Sequence, residues 1–240
     1  LSAQDGLHAR GSRPPPGRDE DPTRERSLLA LVSSARHELR SPLQSIQGFA
    51  DLLASESYGA LGNDQRVFVE HIIQGSWDLS RALDACFELI QAEALHLPTE
   101  PLQASVRRLI EESLMIAENN GPSRFELRFA QLDPELSVEV DLHDFSKAIE
   151  AVITSLAPLA RGRIWVAGCA RDGQAELTFG VSEEPRSFRA LHDLPRRGLS
   201  ARALLWLRLA AALLARSNGK LETSESYDQV RVLLPEKPAD

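Results

Sequence analysis

The run His37-Glu38-Leu39-Arg40-Ser41-Pro42-Leu43 holds residue types at a spacing that fits nucleophilic chemistry. A solvated imidazole is largely neutral near pH 7, so one ring nitrogen can attack phosphorus while a nearby carboxylate takes or orients the proton on the other. Glu38 is that carboxylate. Arg40 and Ser41 follow His37 by three and four residues, within side-chain reach on a helix. A proline inside a helix costs about 3 kcal/mol, so Pro42 serves something other than helix stability. Taken alone, a His-Glu pair reads more simply as a solvated surface histidine beside a chance carboxylate.

The elements that must position this run are legible on both sides of it. From Glu25 onward, Leu28, Val32, Ala35, Leu39, Pro42, Ile46, Phe49 and Leu53 step by four and three residues, a heptad seam. His37 lies about 200° round the helix from Ala35 and from Leu39 at 3.6 residues per turn, so it is expected to face water. Turn formers at Gly59, Gly62 and Asn63 break the helix between Ser57 and Asp64, and Asp64 is placed to cap a second one. That second helix runs to about Leu95 with Phe68, Ile72, Leu79, Leu83, Cys86 and Ile90 near one face. The two helices should form an antiparallel hairpin, and two hairpins would bury both seams as a homodimeric four-helix bundle.

After Pro98 the pattern is mixed. Helices are expected over 105–119, 142–157 and 200–216, and strands over 125–130, 136–140, 163–168, 176–182 and 229–234. The fold class is therefore α+β: a helical hairpin over residues 25–97 followed by an α/β sandwich over 98–240. Residues 1–24, rich in Arg, Asp, Gly and Pro, read as a disordered tail or linker.

Composition narrows the function. A net charge of −8 gives no basic face for nucleic acid. Cys86 and Cys169 have no His or Cys at zinc-ligand spacing and form no disulfide framework, which suits a reducing, cytoplasmic setting. No run approaches the roughly 20 apolar residues of a membrane span, so none is expected in this chain. His71 follows Glu70 on the second helix without an Arg-Ser-Pro run and reads as a structural histidine.

The stretch HELRSPLQSIQGFADLL, His37 to Leu53, resembles the phosphoacceptor box of histidine kinases of two-component systems, matching through His37, Glu38, Leu39, Arg40, Ser41, Pro42, Leu43, Ile46, Gly48, Leu52 and Leu53. The resemblance implies that His37 carries a phosphoryl group, that Glu38 is its acid/base and that Pro42 bends the helix. Ser41 stands where relatives use Thr or Asn to orient water for hydrolysis of a partner's phospho-aspartate, and Arg40 is the candidate for partner docking. It also implies a nucleotide-binding α/β sandwich after the hairpin. There the motifs depart from the pattern. Ala151 and Ser155 fall at the two Asn positions that would give Mg2+ its oxygen ligands. Glu183 stands at the adenine-reading Asp, in a stretch, Val181 to Ser187, without glycine. Counting back from Asn218-Gly219, Leu204 and Trp206 occupy two positions of the glycine-rich turn that would cradle phosphates. The segment Arg186 to Arg197, at the place of the family's lid, reads as a mobile loop.

The expectation is a phosphorelay protein resembling histidine phosphotransferases. It would bind no cofactor, ATP included, and would pass phosphoryl between His37 and the receiver aspartate of a response regulator that supplies the Mg2+. An ATP-dependent autokinase with a divergent site and a regulatory pseudokinase without phosphoryl chemistry are the rivals.

Overall fold

A computed structural model of the chain describes residues 22–94, 99–119, 126–182, 186–193 and 199–236. Helix α1 spans Pro22–Ala54 and α2 spans Asn63–Ala94, and they lie against each other as a hairpin. The first helix starts three residues before the expected Glu25, with proline at its first position, where no backbone N–H is needed. Residues 1–21 of the expected tail lie outside the described residues. Asp64, expected as a cap, sits inside the first turn of α2.

The line along which the helices touch departs from the heptad seam and, among the described residues, shares only Val32 of α1 with it. Val32, Leu43 and Ala50 of α1 and Val69 and Ser76 of α2 are buried, whereas Leu39, Ile46, Phe49, Leu53, Phe68, Ile72, Leu79 and Ile90 are all exposed. At 100° per residue the exposed part of the seam of α1 runs about 60° round from the buried line. One apolar line thus closes the hairpin, and a second is left open along both helices.

The rest of the chain builds a sheet covered by helices. After strand β1 (Pro101–Ser105) come α3 (Val106–Asn119), β2 (Glu126–Leu132), β3 (Ser137–Asp141), α4 (Leu142–Leu156), β4 (Arg163–Arg171) and β5 (Gln174–Gly180). Then follow β6 (Phe188–Ala190), α5 (Ala201–Ala215), β7 (Lys220–Ser224) and β8 (Gln229–Pro235). The main sheet has six strands in the order β2-β4-β5-β8-β7-β6, with β2 and β4 parallel and the other pairs antiparallel. β1 and β3 form a separate antiparallel pair. Alternation sets the core face: Ile164 and Val166, then Ala175, Leu177 and Phe179, then Val230, Val232 and Leu234 are fully buried.

α4 packs between α3 and α5; Phe145, Ala148, Ile149, Val152 and Ile153 are fully buried or close to it, and Asp144, Glu150, Thr154 and Ser155 of the same helix are buried with them. Its start is fixed by Asp141, whose carboxylate accepts from the N–H groups of His143 and Asp144. α5 ends at Ala215, and in the turn after it Asn218 lies in the left-handed region at φ 55°. Gly219 follows because a Cβ there would stand 2.7 Å from Leu234 Cδ2 and 3.0 Å from the Leu214 carbonyl.

The expected mobile loop from Arg186 is corrected in part. Phe188–Ala190 pairs with Thr223 and its neighbours as an edge strand, and Leu191–Asp193 forms a 3-10 turn; residues 194–198 lie outside the described residues. No described helix is long and apolar enough to cross a membrane.

Candidate functional site

His37 stands on the outer side of α1, about 130° round the helix from the buried line and about 60° from Arg40. His37, Glu38 and Ser41 are all exposed. Among the described residues the His37 and Glu38 side chains make no hydrogen bond or ion pair, so the imidazole is open to a reaction partner. The helix continues through Pro42. Proline has no N–H to give the Glu38 carbonyl, so the helical bond at the level of the reactive pair is missing. One turn on, the Ser45 hydroxyl donates to the Ser41 carbonyl.

Arg40 does not project freely. Its Nη2 donates to Asp84 Oδ1 at 2.7 Å, and Arg36 donates to the same oxygen through Nε at 3.1 Å and Nη2 at 3.0 Å. One carboxylate on α2 therefore holds two guanidinium groups of α1, one on each side of His37 in sequence. Sequence reading singled out Arg40 and missed Arg36 and Asp84. An acid 44 residues away becomes a partner only once the hairpin register is known.

These cations line a cleft of about 260 Å3 between the hairpin and the sheet-bearing half, together with Arg81, Lys147, Glu150 and Trp206. Lys147 lies 3.8 Å from Glu88 and 3.3 Å from Glu150. Burial raises the Glu88 carboxyl above its ordinary range, against the pull of Lys147 and Arg36.

Residues 27–95 match the His Kinase A (phospho-acceptor) domain, and His37 lies in its exposed first helix. This segment is similar to the phospho-acceptor domain of two-component histidine kinases. Over 68 residues the chain is 43% identical to an uncharacterised sensor-like histidine kinase of Rhizobium meliloti (strain 1021), which covers 28% of this chain and 12% of that protein. It is 28% identical over 141 residues to the sensor histidine kinase ZraS of Escherichia coli (strain K12), covering 54% of this chain and 29% of ZraS. The chain spans less than a third of the length of the curated relatives it matches. Among solved structures it is similar to full-length ShkA in complex with AMPPNP, with a TM-score of 0.59 and 17% identity over 88% of this chain and 46% of that one. The histidine kinase AdeS of Acinetobacter baumannii gives a TM-score of 0.51 at 15% identity, covering 83% of this chain and 97% of that chain. These structural likenesses establish the fold, a helical hairpin followed by the mixed sheet of histidine kinase catalytic domains.

The residues that the resemblance sets at the nucleotide boxes, Ala151, Ser155, Leu204 and Trp206, have these surroundings in the fold. Ala151 is fully buried in α4. The Ser155 hydroxyl is spent on its own helix, donating to the Val152 carbonyl at 2.7 Å. Leu204 and Trp206 lie inside α5 rather than in a turn before it, because the helix begins at Ala201 with Ser200 as its cap. The Leu204 N–H donates to the Ser200 carbonyl at 3.0 Å, so it is not offered to a phosphate. Trp206, Leu207, Leu209 and Ala210 are buried, and α5 packs along α4. Glu183 lies outside the described residues. Ala151 gives Mg2+ no oxygen ligand, the Ser155 hydroxyl is buried against its own helix, and Leu204 and Trp206 do not fit a phosphate cradle.

Proposed function

We propose that this chain is a phosphotransfer protein in which His37 takes a phosphoryl group from, or gives one to, the receiver aspartate of a response regulator. The observation that carries the reading is the contrast between an exposed, unbonded His37 beside Glu38 and an α5 helix that closes over the glycine-turn positions. In transfer to the protein, an imidazole nitrogen lone pair of His37 attacks the phosphorus of the acyl phosphate. The P–N bond forms as the P–O bond to the aspartate breaks, and the aspartate leaves as carboxylate. Glu38 takes or orients the proton on the second ring nitrogen, and the reverse reaction retraces these steps. The receiver brings the Mg2+. Ser41 keeps a hydroxyl that can orient water when the partner's phospho-aspartate is hydrolysed, and Arg40 faces the docked partner from its bond with Asp84.

The working unit in this proposal is a homodimer. The open seam supports it: Phe49 is 69% exposed and Phe68 64% in the single chain, and apolar area of this kind drives association at about 25 cal/mol per Å2 before ordering costs. The test of function is incubation with a phosphorylated receiver domain. The protein should gain an acid-labile, base-stable phosphoryl group that His37→Ala abolishes. A melting temperature that rises with ATP·Mg2+, as any ligand of the native state produces, would instead restore the autokinase.

A further inference from the structure

α2 carries a third face besides those turned to α1 and to the open seam, and charged residues on it meet the sheet-bearing half in register. Asp78 Oδ1 accepts from Arg202 of α5 at 2.7 Å. Farther along, Glu88 faces Lys147 of α4, and Glu93 accepts from Arg208 of α5 at 3.0 Å. Between these pairs stands Arg81, half-buried, its guanidinium 5.5 Å from the centre of the Trp206 ring and donating to the Thr154 hydroxyl at 2.9 Å. Ala85 of the same face is buried in the core of the other half, with Leu89 and Ala92 packed against it.

The places Arg81 touches are telling. Trp206 occupies an aligned glycine position of the phosphate turn, and Thr154 neighbours Ser155 on the helix aligned with the metal box. Desolvation lowers the Arg81 pKa, with Glu150 and Asp78 acting the other way. A desolvated guanidinium is costly unless it is held by aromatic and polar neighbours, and here an indole face and a hydroxyl supply them.

We propose that the α4–α5 face, which nucleotide would occupy in a histidine kinase, is in this chain an intramolecular docking surface whose ligand is α2, with Arg81 as the inserted group. The sheet-bearing half is then latched in one orientation and forms a fixed wall of the cleft beside Arg36 and Arg40. Asp84, holding α1, and Arg81, holding α4 and α5, are three residues apart on α2, so one helix sets both walls. The proposal stands whether or not His37 accepts a phosphoryl group.

Small-angle X-ray scattering of the full chain tests it. The wild type should scatter as one docked arrangement, and Arg81→Glu, which sets a carboxylate between Asp78 and Glu150, should increase the radius of gyration without loss of helical circular dichroism. Asp78→Arg alone should do the same. Adding Arg202→Asp to Asp78→Arg should return the profile to the wild-type form, a recovery that general misfolding would not give. A wild-type profile that requires a spread of domain positions, or an Arg81→Glu profile identical to wild type, overturns the latch.

Discussion

At the scale of single residues, the proposed transfer rests on a few side chains with separable duties. Glu38→Gln keeps the partner-facing surface and removes only the proton-handling group, so transfer should slow by roughly 10²–10⁴-fold while receiver binding is unchanged. Rapid-quench transfer rates alongside binding measurements check this, and equal rates would remove Glu38 from the mechanism. Ser41→Ala should leave transfer intact and reduce only hydrolysis of the partner's phospho-aspartate. Because His37 faces water, His37→Ala should keep stability within about 0.5 kcal/mol of wild type, measurable by urea unfolding. Glu88 and Asp78 titrate in opposite senses. Burial, resisted by Lys147, raises the Glu88 carboxyl. Its stabilising share is therefore complete below the unfolded pKa of about 4.3 and is lost as pH rises through the folded value. Asp78 is lowered, chiefly by its hydrogen bond from Arg202, so its share is present above about 3.9 and lost as pH falls through the depressed value. Glu88→Gln should accordingly raise the melting temperature at pH 7, with the gap to wild type closing toward pH 4. A lower melting temperature at pH 7 would mean that pairing with Lys147 outweighs burial.

Elements explain both what the sequence disclosed and what it withheld. α1, α2, α4 and α5 were legible because each carries a long apolar period, and β4 and β8 because Ile164-Trp165-Val166 and Val230-Arg231-Val232 alternate. β1, β6 and β7 were not, since Pro101–Ser105, Phe188–Ala190 and Lys220–Ser224 are three to five residues long and are made strands by their partners rather than by their own pattern. The heptad of α1 was visible, but sequence could not say that Val32, Leu43 and Ala50 close the hairpin while Leu39, Ile46, Phe49 and Leu53 stay outside. At the site, His37 and its neighbours were legible as a contiguous run; Asp84, Arg81 and Trp206 meet only through packing. α5 makes its own prediction. Trp206→Gly restores the residue type expected of the phosphate turn, but it empties a buried indole, so it should cost about 3–5 kcal/mol, as large-to-small core changes do. Calorimetry checks the loss; unchanged stability would show that α5 is not held by this residue.

For the whole molecule, the open seam and the exposed histidine lie on different sides of α1, so the proposed dimerisation through the first would leave the second accessible. Ile46 is 49% exposed in the single chain, and Ile46→Asp should spare the hairpin while splitting the dimer, because the dimer would bury an unpaired charge. Light scattering reports this directly, and a mutant as dimeric as wild type would refute the seam as the interface. The central claim is that His37 carries the phosphoryl group. Its most direct measurement is phosphorus NMR of the 240-residue chain after incubation with a phosphorylated receiver domain, on wild type, His37→Ala and His71→Ala. The account predicts a phosphorus–nitrogen resonance in wild type and in His71→Ala and none in His37→Ala; a resonance that persists in His37→Ala, or is absent from wild type, would contradict it.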